Sequence, residues 1–437
     1  MSGWFAAHAW LPDGPARDVR FEIADGRFTS VRADARAGDA TPLPGLVLAG
    51  LANCHSHAFH RALRGRTHGG VGTFWTWRTQ MYALAERLDP DRYLDLARAT
   101  YAEMVLAGIT AVGEFHYLHH GPAGRRYADP NAMGEALRQA ASEAGLRLTL
   151  LDACYLAGGL SADGHQPVDD VQRRFCDGDV DRWAARLAQL PADDNTRVGA
   201  AIHSVRAVPQ EALPAVRVAA GDQPLHVHVS EQPAENEACL AFYGATPAVL
   251  LDAAGVLDPA TTAVHATHVS SEDVGHLGAA RTTVCLCPTT ERDLADGIGP
   301  ARALADAGAR LSVGSDQHAV IDLFEELRGV EMDERLQSRE RGRFRPGALL
   351  GMLTRHDSIG WPDAGRLETG ARADLVAVRL DTTRTAGCAP EQAIFAATAV
   401  DVDTVLVGGR VVVRDGVHQL GDVGRLLHTA IEAAWRD

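Results

Sequence analysis

The sequence predicts an α/β protein: a (β/α)8 TIM-like barrel with a small flanking β-sandwich domain built from both chain termini. Three observations lead there. Short apolar runs alternate with helix-like segments from about residue 45 onward, histidines and acids collect at the ends of those runs, and both ends of the chain carry strand candidates too short to bury a core alone. Strands alternating with helices imply right-handed βαβ units and a parallel sheet, and about eight such units close naturally into a barrel.

The apolar runs cover residues 46–54, 111–117, 147–155, 197–204, 224–230, 261–269, 282–288 and 310–316. Amphipathic segments at 131–145, 180–190, 247–254 and 299–308 lie between them, and Gly145, Gly221 and Gly308 stop helices just before the next strand. Before residue 45, strands at 19–23 and 27–31 flank an Asp25-Gly26 turn. The tail offers strands at 373–378, 402–407 and 410–413, the last two joined by Gly408-Gly409. The expected division is therefore 1–45 plus 365–437 for the small β-domain and 46–364 for the barrel. The charge run Arg339-Glu340-Arg341-Gly342-Arg343 reads as a solvated loop or helix end.

Composition narrows the function. The chain has 437 residues, 46% hydrophobic and 23% charged, which is a globular composition. A net charge of −15 argues against nucleic acid and anionic membranes as partners. No apolar run approaches the roughly 20 residues of a membrane span, and the first residues lack a basic segment followed by an apolar core. Seven cysteines at irregular spacing fit reduced thiols, so a cytoplasmic location is expected, with Cys54, Cys285 and Cys287 as buried strand residues. All 42 basic residues are arginine. Chemistry that needs lysine, whether a phosphate-loop lysine, a Schiff base or a carboxylated-lysine metal bridge, is excluded.

In such barrels the chemistry sits at the C-terminal ends of the strands. His55 and His57 end the first, two residues apart and so on one side of a strand. Glu114, His116 and Tyr117 end the second; His203, followed by Arg206, ends the fourth; and His226 and His228 end the fifth, followed by Glu231. The sixth carries His265 and His268, and the eighth closes with Asp316 and His318. His55, His57, His228 and Asp316 supply three imidazoles and a carboxylate, a set suited to one zinc-like divalent ion with an open position for water. Such an ion lowers the pKa of water to about 7. Asp316 can serve as general base, Glu231 can exchange protons with substrate, and His265 can hydrogen-bond an oxygen that develops charge. His226, one layer deeper, reads as a core histidine, and His268 and His318 as supporting groups.

His-Ser-His on the first strand, His-x-x-Glu after the fifth, a histidine on the sixth and Ser-Asp-x-His on the eighth resemble the amidohydrolase superfamily, in particular its mononuclear deaminases. Gly370-Ala371-Arg372-Ala373-Asp374-Leu375-Val376 is similar to that superfamily's returning strand. Within the group, Phe74-Trp75-Thr76-Trp77-Arg78, Glu114-Phe115-His116-Tyr117-Leu118-His119-His120, His203-Ser204-Val205-Arg206 and Cys287-Pro288-Thr289-Thr290-Glu291-Arg292 resemble the deiminases of N-formimino-L-glutamate. The resemblance implies Zn2+ on His55, His57, His228 and Asp316, with proton transfer by Glu231, His265 and Asp316. It implies a substrate contacted by Tyr117, His203, Arg206 and Arg78, and a cytoplasmic homodimer working on a small molecule. Its members often carry glutamine where this chain has His60, so His60 stands as the corresponding substrate contact. Two other readings remain: a deaminase of an aminated heterocycle such as guanine, and a barrel without catalysis that serves as a scaffold. Arg206 likewise has a second reading, as the ion-pair partner of Glu211.

Overall fold

The computed structural model describes residues 2–69 and 72–436. Eight strands form one parallel sheet in chain order: Leu51–Ser56, Ile109–His116, Arg147–Cys154, Thr196–Ile202, Leu225–Val229, Thr261–His265, Thr283–Leu286 and Arg310–Val313. Helices cover the outside of this sheet, so both its faces are buried and its strands read as nearly continuous apolar runs. Helix Pro90–Leu106 shows how the outer layer is specified. Asp89 caps it by accepting from Arg92 N, proline opens it, and Tyr93, Leu96, Ala97, Thr100 and Met104 recur at helical spacing to form the buried stripe. The helices at Ala132–Ala144 and Ala301–Ala307 stop at Gly145 and Gly308, and the 339–343 charge run begins at the exposed end of helix Leu323–Ser338.

The barrel closes through the residues that carry its chemistry. Ser56 bridges Asp316 in parallel, Asp316 N donates to His55 O at 3.1 Å, and His57 N donates to Asp316 O at 3.2 Å. Closure needs glycine at 314, where a Cβ would lie 2.7 Å from the His55 carbonyl oxygen and 2.8 Å from its nitrogen.

The apolar run at 46–54 is divided between two sheets. Thr41–Ala49 belongs to the terminal sheet and Leu51–Ser56 to the barrel. The break is at Gly50, whose N–H donates to Asp374 O at 3.0 Å and whose Cβ, if present, would meet Thr110 Oγ1 at 2.2 Å. Periodicity alone does not reveal this break, because the residues on both sides are equally apolar.

The two ends of the chain join in one continuous eight-stranded sheet. Its order is Val417–His418, Arg410–Arg414, Val402–Val407, Leu375–Val378, Thr41–Ala49, Ser2–Leu11, Gly14–Ala24 and Arg27–Arg32. The seam is the antiparallel pairing of Leu375 with Ala49 through Val378 with Leu46. Edge-to-edge pairing at this seam is what makes one sheet from the two sets of terminal strands. Trp4, Phe21, Phe28, Val47, Leu375 and Leu406 form its separate core.

Candidate metal centre and active site

Alternation along the first strand and closure against the eighth bring His55, His57 and Asp316 together. Asp316 Oδ1 lies 3.3 Å from His55 Nε2 and 3.4 Å from His57 Nε2, and His228 Nε2 lies 3.1 Å from His55 Nε2. Donors about 2.0–2.2 Å from one zinc-like ion stand roughly 3.3–3.6 Å apart in a tetrahedral arrangement. The hydrogen bonds behind the rings fix which nitrogen faces inward. His57 Nδ1 donates to Phe115 O at 2.9 Å and His228 Nδ1 donates to His203 O at 2.8 Å, so both Nε2 lone pairs point at the centre. Burial pushes His55, His57 and His228 well below the usual histidine range, which keeps these imidazoles neutral and able to ligate. His55, His57 and Asp316 form one close group of buried donors and His55, His228 and His265 a second that shares His55, and donors of these types fit a divalent cation.

The backbone at the strand ends is strained. His265 has φ 70°, Asp316 φ 38°, Ser230 φ 51° and Ala266 φ 51°, all in the left-handed region that costs side-chain-bearing residues about 1–3 kcal/mol each. Four such residues at the mouth of three strands mark where side-chain placement overrides local preference.

Beside the centre, His265 Nε2 lies 3.7 Å from Glu231 Oε1 and 3.9 Å from Asp316 Oδ2, and its Nδ1 lies 3.4 Å from Glu291 Oε1. Burial on its own would lower the His265 pKa, but the carboxylates of Glu231, Glu291 and Asp316 outweigh it and lift the value to about 10. Burial raises the Glu231 carboxyl, opposed by His265 and Arg206, and it raises Asp316 in the same way. Two hindered acids and a cationic imidazole at one mouth form a set in which protons are readily exchanged.

Above the centre opens a cavity of about 320 Å³ lined by all five expected substrate contacts: His60, Arg78, Tyr117, His203 and Arg206. His60 Nε2 is 2.9 Å from Tyr117 Oη, and burial lowers its pKa to about 3. Arg206 is not paired with Glu211. Its Nη2 lies 3.7 Å from Glu231 Oε2 and its Nε 3.7 Å from Glu235 Oε1, both beyond hydrogen-bond reach, so its fork remains available to a ligand. Glu235 was absent from the sequence expectations; the signal was a second acid one helical turn after Glu231, on the opening turn of helix Pro233–Tyr243. Trp77 is buried against the pocket and Trp75 is 45% exposed.

Four other histidines make structural hydrogen bonds. His226 Nε2 donates to Ser358 O at 3.0 Å, His119 Nε2 donates to Ala153 O at 2.9 Å, and His120 Nε2 lies 3.0 Å from Asp177 Oδ1. His318 stands behind the first strand, 2.9 Å from Ser315 Oγ and 3.2 Å from Ser56 Oγ. Cys54, Cys285 and Cys287 are buried free thiols.

Comparison with known proteins gives a consistent result. Residues 46–412 match the model of the Amidohydrolase family, and residues 1–41 match that of the formimidoylglutamate deiminase HutF N-terminal domain. A formimidoylglutamate deiminase of Pseudomonas aeruginosa is 39% identical over 439 residues, covering 96% of each chain. The crystal structure of an amidohydrolase from Brucella melitensis superposes with a TM-score of 0.93 at 33% identity over the full length of both chains. An adenosine deaminase from Xanthomonas campestris, solved with bound zinc, shares the fold with a TM-score of 0.82 at 21% identity, covering 99% of this chain and 97% of its own.

Proposed function

The chain belongs to the amidohydrolase family, and from that membership we propose that it hydrolyses N-formimino-L-glutamate to N-formyl-L-glutamate and ammonia. The observation that carries this reading is the convergence of His55, His57, His228 and Asp316 beneath a cavity that also presents Arg206 and Arg78. The similarity to a formimidoylglutamate deiminase supports the substrate.

His55, His57, His228 and Asp316 would hold the metal, and zinc suits three imidazoles and a carboxylate. When bound, such an ion acts as a Lewis acid that makes water a nucleophile near neutral pH. The remaining chemistry belongs to this chain's side chains. Asp316 takes a proton from the attacking water, and the oxygen adds to the formimino carbon. His265, held cationic by its three acids, donates through Nε2 to the addition intermediate, where charge has to be balanced. Glu231 carries a proton to the terminal nitrogen, which leaves as ammonia while the carbon–oxygen double bond forms. Arg206 grips one substrate carboxylate with its fork and Arg78 meets the other, while Tyr117, His203 and His60 line the space between. Water enters and ammonia leaves, with no redox change and no further reactant.

The reading includes a cytoplasmic homodimer, for which seven free cysteines support a reducing compartment. Among the described residues no helix is long and apolar enough to cross a membrane. The decisive experiment is ammonia release from a panel of formimino amino acids and nucleobases, with and without chelator. Turnover confined to formimino dicarboxylates is expected; turnover confined to nucleobases would replace the substrate assignment, and none at all would favour a scaffold.

A further inference from the structure

The first barrel strand carries one residue too many where its metal ligands lie. Asn53 pairs with Val112 and Ser56 with Glu114, so three steps along the first strand match two along the second. The extra residue falls within Cys54-His55, just before His57. A bulge of this kind re-aims side chains but interrupts the ladder, so the residues beyond it need another hold.

Glu114 and Phe115 supply that hold from the second strand. Glu114 Oε1 accepts from Ala58 N at 2.6 Å, and Glu114 Oε2 lies 2.6 Å from Ser56 Oγ. Phe115 O accepts from His57 Nδ1 at 2.9 Å. Residues 56, 57 and 58 are thus gripped in turn, by a hydroxyl, a ring and a backbone N–H. The contact between Ser56 and Glu114 holds whichever oxygen carries the shared proton, because a hydroxyl can donate or accept. Ser56 Oγ also lies 3.2 Å from His318 Nε2, two residues past Asp316. One hydroxyl therefore links the end of the first strand to the loop that carries the eighth-strand ligand. Glu114 itself is fully buried, and the proposed reaction gives it no part.

Resting on the zinc reading of the centre, we propose that Glu114 is a positioning residue for the metal: by spanning Ser56 and Ala58 it holds His57 in place at the end of a bulged strand and so sets how tightly the ion is bound. An apolar side chain at 114 would leave the buried Ala58 N–H without its acceptor and release the strand end.

Glu114→Met keeps roughly the volume and removes both oxygens. Zinc affinity, read by competition with a chromophoric chelator, should fall about 10- to 100-fold. The visible absorption of the cobalt-loaded protein should change with it, since His57 no longer sits where the other ligands require. Glu114→Gln can accept from Ala58 N–H through its carbonyl and donate to Ser56 Oγ through its amide, so its affinity should return to within about threefold of wild type. A merely structural role would lower the melting temperature of the metal-free variant and leave affinity and cobalt spectrum unchanged. That result, or E114Q binding zinc no better than E114M, overturns the proposal. If E114M does not fold, Ser56→Ala decides: it removes one arm of the grip, and affinity should fall about tenfold, an unchanged value overturning the proposal. A wild-type protein that takes up no divalent ion loses the zinc reading and the proposal with it. A wild type that binds zinc, but no more tightly than E114M, loses the proposal alone.

Discussion

The Nε2 atoms of His228 and His55 face each other across 3.1 Å although 173 residues separate them. His228 donates through its other nitrogen to His203 O, so its inward Nε2 carries a lone pair. Among the described residues His55 Nδ1 has no hydrogen-bond partner, so the facing His55 Nε2 either donates its N–H to that lone pair or shares a cation with it, and the second arrangement makes metal dependence the expected outcome. Removal of metal by chelator should abolish ammonia release, and zinc should restore it. His228→Ala should purify with less metal by elemental mass spectrometry and lose more than the roughly 10- to 100-fold typical of groups that only orient a ligand. Full activity in a metal-free sample would refute the centre.

Arg206 stands between two acids without a close hydrogen bond to either. Arg206→Ala should lower kcat/KM for a formimino dicarboxylate by roughly 10- to 100-fold, the worth of a charge-assisted bidentate contact of about 1.5–3 kcal/mol. Arg206→Lys should recover only part of that, because an ammonium lacks the planar fork. Activity that survives Arg206→Ala intact would point to a neutral substrate.

Gly314 sits where the eighth strand passes the first, with the His55 backbone 2.7–2.8 Å from any added Cβ. Backbone cannot move aside as a side-chain tip can. Gly314→Ala should therefore cost about 1–3 kcal/mol of stability and also weaken metal retention, since His55 is the residue displaced. Melting temperature and metal content should fall together; a drop in melting temperature with metal content unchanged would separate closure from ligation.

Asp401 provides a test of pH dependence away from the site. Burial raises its carboxyl, but hydrogen bonds from Arg384, Thr382 and Thr398 outweigh that and hold its pKa at about 2, against an ordinary 3.8. A carboxylate depressed on folding adds stability that is fully present above its ordinary value and is lost as pH falls through 4 toward 2. The gap in melting temperature between wild type and Asp401→Asn should be widest near pH 6 and narrow progressively below pH 4. A gap independent of pH would show that the ion pair with Arg384 contributes nothing.

Much of the fold was legible along the chain because burial on both faces of a parallel sheet leaves a continuous apolar run for each strand. The His55–His57 pair was legible because side chains two apart on a strand share a face. Gly50 was not, since the break between two sheets depends on Asp374 and Thr110, which reach it only after folding. Glu235 escaped for a similar reason. It lies outside the barrel strands, on a helix where no period announces a neighbour.

By itself the sequence determined the alternation of strands and helices, the residue types gathered at the strand ends, and the exclusion of lysine chemistry, because these follow from local periodicity and composition. Only the tertiary structure decided which donors come close in space, that Arg206 faces Glu231 and Glu235 in place of Glu211, and that the expected terminal β-domain is one continuous sheet joined between 46–49 and 375–378. Those relations are set by barrel closure and by loops crossing its mouth, where contacts join residues that one-dimensional order keeps far apart.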